Sequence, residues 1–276
     1  MTLDSRPGCA AGAVVLAALL LAVSASASAD VLALVHGYLG DAASWRSSGV
    51  LGALERDGWR NAGTVRYRSR GMVATVPTSR ESERVVYTLD LPSEAPLLYQ
   101  ADALKALLDR IYPAGRKDKL IIIGHSAGGV AARLFMVRYT EPKVYALITI
   151  ASPHLGTDTA ELGLMTSLSP LGFFAPLFGA ETLNKSRGLY ADLTRERPGT
   201  VLYWLNHQPH PNAHYISVVR SSQTLFGDMV VPTYSQDMNH VYALRGKAQS
   251  VISSEGHGLA SSDGALLVRL LRELGE

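Results

Sequence analysis

The sequence has a single cysteine, Cys9, near its N-terminus. A disulfide framework is therefore excluded, and stability has to come from a packed core alone. Aromatic residues make up only 7% of the 276 positions. The 26 basic and 24 acidic residues are mixed along the chain, leaving a net charge of +2. No basic block of the kind that nucleic-acid binding requires is present, so no nucleic-acid partner is expected. The apolar stretch from Gly8 to Val23 falls short of the roughly 20 residues that cross a bilayer.

That stretch has a different reading. A short polar start, Met1 to Pro7, leads into it, and a run of small residues, Ser24 to Ala29, follows. This is the grammar of a secretory signal peptide over residues 1–29. Ala27-Ser28-Ala29 has the A-x-A form and predicts cleavage before Asp30, with Ala25 and Ala27 as other small residues at which cleavage could occur. The expected location is then secreted or periplasmic. Cys9 lies at the start of the apolar run, whereas an acylated lipoprotein cysteine would follow it, and cleavage would remove it.

With 47% hydrophobic and 18% charged residues, the rest of the chain suits one domain, residues 30–276. Val31 to Val35 is a continuous apolar run, as a strand buried on both faces requires. Helical spacing follows over Ala43 to Arg56. Thr64 to Val76 alternates Arg66, Arg68 and Arg70 with Val65 and Tyr67 and predicts an exposed strand or hairpin turning at Gly71. A solvated strand face accounts for the arginine row. The pattern then predicts strand Val85 to Leu89, helix Leu97 to Tyr112, strand Leu120 to Ile123, helix Gly129 to Tyr139 and strand Val144 to Ile150. Strand Tyr215 to Val219, a strand around Ser250 to Ser253 and a helix from Ser261 to Leu274 complete it. Repeated β-α-β predicts an α/β fold with a mostly parallel sheet and helices on both faces.

The alternation fails from Gly156 to Gly199. Leu164, Met165, Leu168, Leu171, Phe173, Phe174, Leu177 and Phe178 crowd a stretch broken by Pro170 and Pro176. This predicts an apolar lid or cap inserted between strands, with an extra layer of core as the alternative.

Gly124-His125-Ser126-Ala127-Gly128 matches G-x-S-x-G. The pentapeptide alone is weak, but it lies between an apolar strand and a predicted helix, the setting a nucleophile elbow needs. The tight turn requires small residues two before and two after the serine, and Gly124 and Gly128 supply them. An oxyanion would meet the backbone N–H of Ala127 and one from the loop after the first strand, at Tyr38 or Leu39. Gly37 lets that loop approach closely, and His36 reads as a structural hydrogen-bonder.

A serine hydroxyl needs an imidazole to take its proton, and the imidazole needs a carboxylate to fix its tautomer. Of the eight histidines, His257 alone falls between the last predicted strand and the last helix; His240 is its rival. Chain order in this architecture places the acid between serine and histidine. Asp228, in Phe226-Gly227-Asp228-Met229-Val230-Val231-Pro232, leads over Asp237. Asp90, beside Pro92, reads as a turn former.

His36-Gly37, Gly124 to Gly129, Ala151-Ser152-Pro153-His154-Leu155-Gly156-Thr157 and Gly227 to Pro232 together resemble bacterial lipases of the α/β-hydrolase superfamily and GPI inositol-deacylase-like hydrolases. The Ser-Pro-His-x-Gly-Thr piece parallels the segment that precedes the lid in those lipases. The resemblance implies a serine hydrolase acting on carboxylic esters with a lipid-like acyl chain. It implies no organic cofactor, and no convincing calcium-ligand set is present in the sequence. The expected partner is a small-molecule or lipid ester, with a lipid interface if the cap opens. Thioester hydrolysis or acyl transfer would use the same triad, and a catalytically inactive hydrolase fold acting as a binding protein is the alternative of another class.

Overall fold

The computed structural model describes residues 30–68, 71–74, 84–160, 180–221, 228 and 230–275. The signal-peptide segment lies outside the described residues, and so do the apolar side chains from Leu164 to Phe178.

Val31–Val35 (β1) is buried at every position because it lies in the middle of an eight-stranded sheet. The other strands are Arg60–Arg68 (β2), Gly71–Ala74 (β3), Val85–Asp90 (β4), Leu120–His125 (β5), Ala146–Ile150 (β6), His214–Arg220 (β7) and Ala248–Ser253 (β8). Their order is β3-β2-β4-β1-β5-β6-β7-β8. Among the described residues seven strands run parallel, and β3 pairs antiparallel with β2, as the hairpin reading expects. The β1 side chains alternate between two cores: Val31, Ala33 and Val35 face one, Leu32 and Leu34 the other.

Helices cover both faces, as repeated β-α-β demands. Leu97–Ile111 (α3) and Ala127–Arg138 (α4) bury Leu104, Leu107, Val130 and Leu134 in the first core. Val50–Arg56 (α2) and the C-terminal helix Ser261–Glu273 bury Leu51, Leu54, Leu267 and Leu270 in the second. At roughly 1.5–3 kcal/mol per large buried apolar side chain, these two layers supply the stability that no disulfide provides.

Three elements depart from the sequence reading. The helix expected over Ala43 to Arg56 is two helices, Ser44–Ser47 (α1) and α2, because Gly49 adopts φ +84° between them. Helix α4 starts at Ala127, directly after Ser126 and two residues before the expected start at Gly129. Between β6 and β7 lie Ala180–Asp192 (α5) and Val201–His207 (α6), where no regular element was expected. Thr200 caps α6 by accepting a hydrogen bond from the Tyr203 N–H at 3.3 Å.

The ends of the 156–199 stretch are tied together and to the body. Thr157 N–H donates to the Leu193 carbonyl and Glu196 N–H to the Leu155 carbonyl, both at 3.0 Å. Leu97 N–H donates to Asp192 at 2.7 Å, and the Tyr190 hydroxyl meets that of Tyr38 at 2.5 Å.

Candidate active site

The candidate residues sit at the C-terminal ends of parallel strands, where an open α/β sheet concentrates its functional loops. Ser126 follows β5. It has φ +50° and ψ −129°, a conformation that costs of order 1–3 kcal/mol for a residue with a side chain. The surroundings enforce the turn. A Cβ at Gly124 would lie 2.4 Å from Gly129 Cα, and one at Gly128 would lie 2.2 Å from the His36 carbonyl oxygen. Ser126 N–H donates to the Ile150 carbonyl at 2.8 Å, tying the turn to β6.

The loop after β1 lies over this turn: a Cβ on Gly37 would come within 2.8 Å of Ser126 Cβ. Gly40 N–H closes a turn on the Gly37 carbonyl at 3.1 Å, with Leu39 at φ +54°. The loop that carries Tyr38 and Leu39 thus starts against Ser126. Ala127, in the first turn of α4, has a backbone N–H beyond reach of any carbonyl of its own helix. His36 bridges β1 and β4: Nδ1 lies 3.0 Å from the Gly37 carbonyl, and Nε2 accepts from Leu91 N–H at 3.1 Å.

His257, in the loop after β8, faces Ser126 Oγ with Nε2 at 3.0 Å and Asp228 Oδ2 with Nδ1 at 2.8 Å. An ionised carboxylate can only accept, so Nδ1 carries the hydrogen and Nε2 is left to accept from the serine hydroxyl. The Asp228 side chain has no accessible surface. Its Oδ1 accepts from the N–H groups of Val230 and Val231, each at 2.9 Å, and its Oδ2 accepts from Gln236 Nε2 at 2.9 Å. Burial pushes this carboxyl up, but the His257 hydrogen bond and charge with the two backbone donors outweigh it and hold the group below its ordinary value.

The rivals lie elsewhere. Asp237 caps a short 3-10 turn, accepting from Asn239 N–H at 2.8 Å and Ser250 Oγ at 2.6 Å. His240 is exposed and bonds the Tyr234 carbonyl at 2.7 Å through Nδ1. Asp90 forms an ion pair with Arg66, Oδ2 lying 3.0 Å from Nε, which gives this member of the arginine row a structural partner.

Sequence reasoning missed the support around the site. His125 Nε2 donates to the His257 carbonyl at 2.9 Å, and burial pushes the His125 imidazole down to about 4, so it is neutral at pH 7. On the far side of α4, Arg133 is fully buried, and its Nη2 donates to Asn206 Oδ1 at 2.5 Å. Asn206 Nδ2 in turn donates to the His154 carbonyl at 3.0 Å and to Glu196 at 2.6 Å. Arg133 thereby fastens the Ser152-Pro153-His154 segment to the helix that follows Ser126. Burial lowers its guanidinium to about 9.

A family model described as the PGAP1-like alpha/beta domain matches residues 94–167, which run from α3 through Ser126 and past β6. Among solved structures, the chain is similar to the lin2722 gene product of Listeria innocua, with a TM-score of 0.61 at 16% identity over 89% of this chain and 93% of that one. The mature lipase BlEst2 of Bacillus licheniformis gives 0.55 at 16% identity over 90% and 92% of the two chains. The bottromycin epimerase BotH gives 0.51 at 17% identity over 90% of each. No curated protein sequence matches this chain significantly. A lipase and an epimerase on one frame leave the chemistry to be argued from the site. The chain has the α/β-hydrolase fold, and its segment around Ser126 is similar to the PGAP1-like alpha/beta domain.

Proposed function

We propose that this protein hydrolyses carboxylic esters through an acyl-serine intermediate on Ser126. One observation carries the reading: the unbroken hydrogen-bonded series Ser126 Oγ, His257, Asp228, at 3.0 and 2.8 Å, on a turn that strains the serine backbone. His257 Nε2 takes the hydroxyl proton as Oγ attacks the ester carbonyl, and Asp228 stabilises the imidazolium that forms. The imidazolium then gives its proton to the departing alcohol. The oxyanion is met by Ala127 N–H and an N–H of Tyr38 or Leu39. Water, activated by the same imidazole, releases the acid. The similarity to the lipase BlEst2 supports an ester with an acyl chain as the substrate.

The stretch 156–199 serves in this reading as a cap whose apolar residues exchange water-shielded contacts for a lipid surface, and residues 1–29 direct export to a periplasmic or extracellular site. Turnover of p-nitrophenyl esters from acetate to palmitate, beside matching thioesters, tests the proposal. Hydrolysis of the oxygen esters at rates that depend on Ser126 supports it. Preference for thioesters, or no turnover of either series by folded protein, rejects it.

A further inference from the structure

The candidate acid and base stand on different loops, and one residue is bonded to the base's loop directly and to the acid through Gln236. Arg220, the last residue of β7, is fully buried. Its guanidinium grips Asp263 with two prongs, at 2.8 and 2.7 Å, and donates to Ser253 Oγ at 2.8 Å and the Gly258 carbonyl at 3.2 Å. Its backbone N–H donates to Gln236 Oε1 at 2.7 Å. That bond fixes which way the amide faces, so Gln236 Nε2 points at Asp228 Oδ2, 2.9 Å away, and at the Val231 carbonyl, 2.8 Å away. Oδ2 is the oxygen that holds His257.

We propose that Gln236 is a positioning residue for the Asp228–His257 pair, and that Arg220 holds it in register with the His257 loop. The inference rests on the ester-hydrolase reading above. Each Asp228 oxygen receives two donors, so the carboxylate is saturated and cannot rotate when His257 gains or loses its second proton. The amide also draws charge from Oδ2, which moderates how strongly Asp228 favours the imidazolium. The base side needs separate anchoring, since His257 lies between Gly256 and Gly258, and a Cβ at either glycine would meet nothing within 4 Å. His125 holds the carbonyl of residue 257, Arg220 that of residue 258, and Asp263 accepts from Ala260 N–H at 2.8 Å.

The test uses the full chain carrying Gln236→Met or Gln236→Glu, followed by kcat, KM and a pH–rate profile on a short p-nitrophenyl ester. The titratable and charged groups around His257 are Asp228 beyond β7, His125 on β5, Arg220 on β7, Asp263 on the last helix and Glu255 on its own loop; none is altered. Gln236→Met removes a hydrogen bond to a charged group, and kcat should fall roughly 10- to 100-fold with little change in KM. Gln236→Glu, nearly isosteric, puts a second carboxyl against Oδ2. Two carboxyl oxygens about 2.9 Å apart in a buried site share one proton instead of both ionising, so the pH–rate profile of kcat should gain a further ionisation where that shared proton leaves. This variant keeps the test readable if the methionine variant does not fold. Wild-type kcat and an unchanged pH–rate profile in folded variants would overturn the proposal, as would activity lost only in step with folded protein. Full turnover by Ser126→Ala would instead overturn the ester-hydrolase reading itself.

Discussion

Replacing Asp228 by asparagine separates charge and tautomer from shape. Among the described residues the four partners of the Asp228 carboxylate are all N–H donors: Val230 and Val231 on Oδ1, His257 Nδ1 and Gln236 Nε2 on Oδ2. An asparagine offers one accepting oxygen and one NH2 group, so two donors must face two donors whichever way it turns. The backbone pair cannot move, so the oxygen should stay with Val230 and Val231 and the NH2 should face His257. The imidazole then has to accept at Nδ1 and carry its hydrogen on Nε2, where it cannot take the proton of Ser126. The loss in kcat should be about 10⁴, or roughly 5 kcal/mol of transition-state stabilisation, with KM nearly unchanged. Stopped assays on a short ester read kcat, and the rate of fluorophosphonate labelling reads the nucleophilicity of Ser126 directly. Circular dichroism checks that the variant is folded. A folded Asp228→Asn protein within tenfold of wild-type kcat would refute the tautomer argument.

Three further outcomes follow from other parts of the molecule. Gly128→Ala should cost about 3 kcal/mol or more, or prevent folding, because its Cβ would lie 2.2 Å from the His36 backbone oxygen, whereas Gly256→Ala has open space; thermal melts compare the two. His125 and His210 are pushed by burial from an ordinary 6.5 to about 4, so the unfolded chain takes up protons that the folded chain refuses. Stability should fall as pH drops from 6.5 to 4, by about 1.4 kcal/mol per unit for each histidine, and the lowered Asp228 carboxyl continues the loss at still lower pH. Urea midpoints that stay flat over that range would contradict this. If the 156–199 stretch is a cap, hydrolysis of medium and long acyl esters should rise sharply when substrate passes from monomer to micelle, and Phe173→Asp or Phe178→Asp should weaken the rise while sparing short esters. A smooth saturation curve would mark the stretch as core.

The sheet was legible because strands buried on both faces must be apolar throughout, and Val31 to Val35 or Leu120 to Ile123 have no other economical reading. Ser126 was legible for a related reason: a strand, a two-glycine frame and a helix start leave a single conformation for the residue between them. Chain order made Asp228 and His257 the candidates, with Asp228 preferred because Asp237 is nearer the next element and has no glycine beside it, and the structure brings the two side chains within 2.8 Å. What stayed hidden lies in long-range polar contacts. Gln236 reaches Asp228 across eight positions and Arg220 reaches Asp263 across 43, and neither leaves a periodic trace. An arginine directly closing the strand Tyr215-Ile216-Ser217-Val218-Val219, with an aspartate in the first turn of the last helix, was the available signal. The break at Gly49 was obscured because Trp45, Val50, Leu51 and Leu54 keep helical spacing across it.

The central claim is that Ser126 carries the acyl group, and the most direct test is intact and peptide mass spectrometry after treatment with a fluorophosphonate and, separately, after quenching turnover of a slow ester in acid. The account predicts a single adduct per chain, located on the peptide that contains Ser126, with loss of turnover in proportion to labelling and no adduct in Ser126→Ala. Full ester turnover by a chain unmodified at Ser126, or an adduct mapped to another residue, would contradict it.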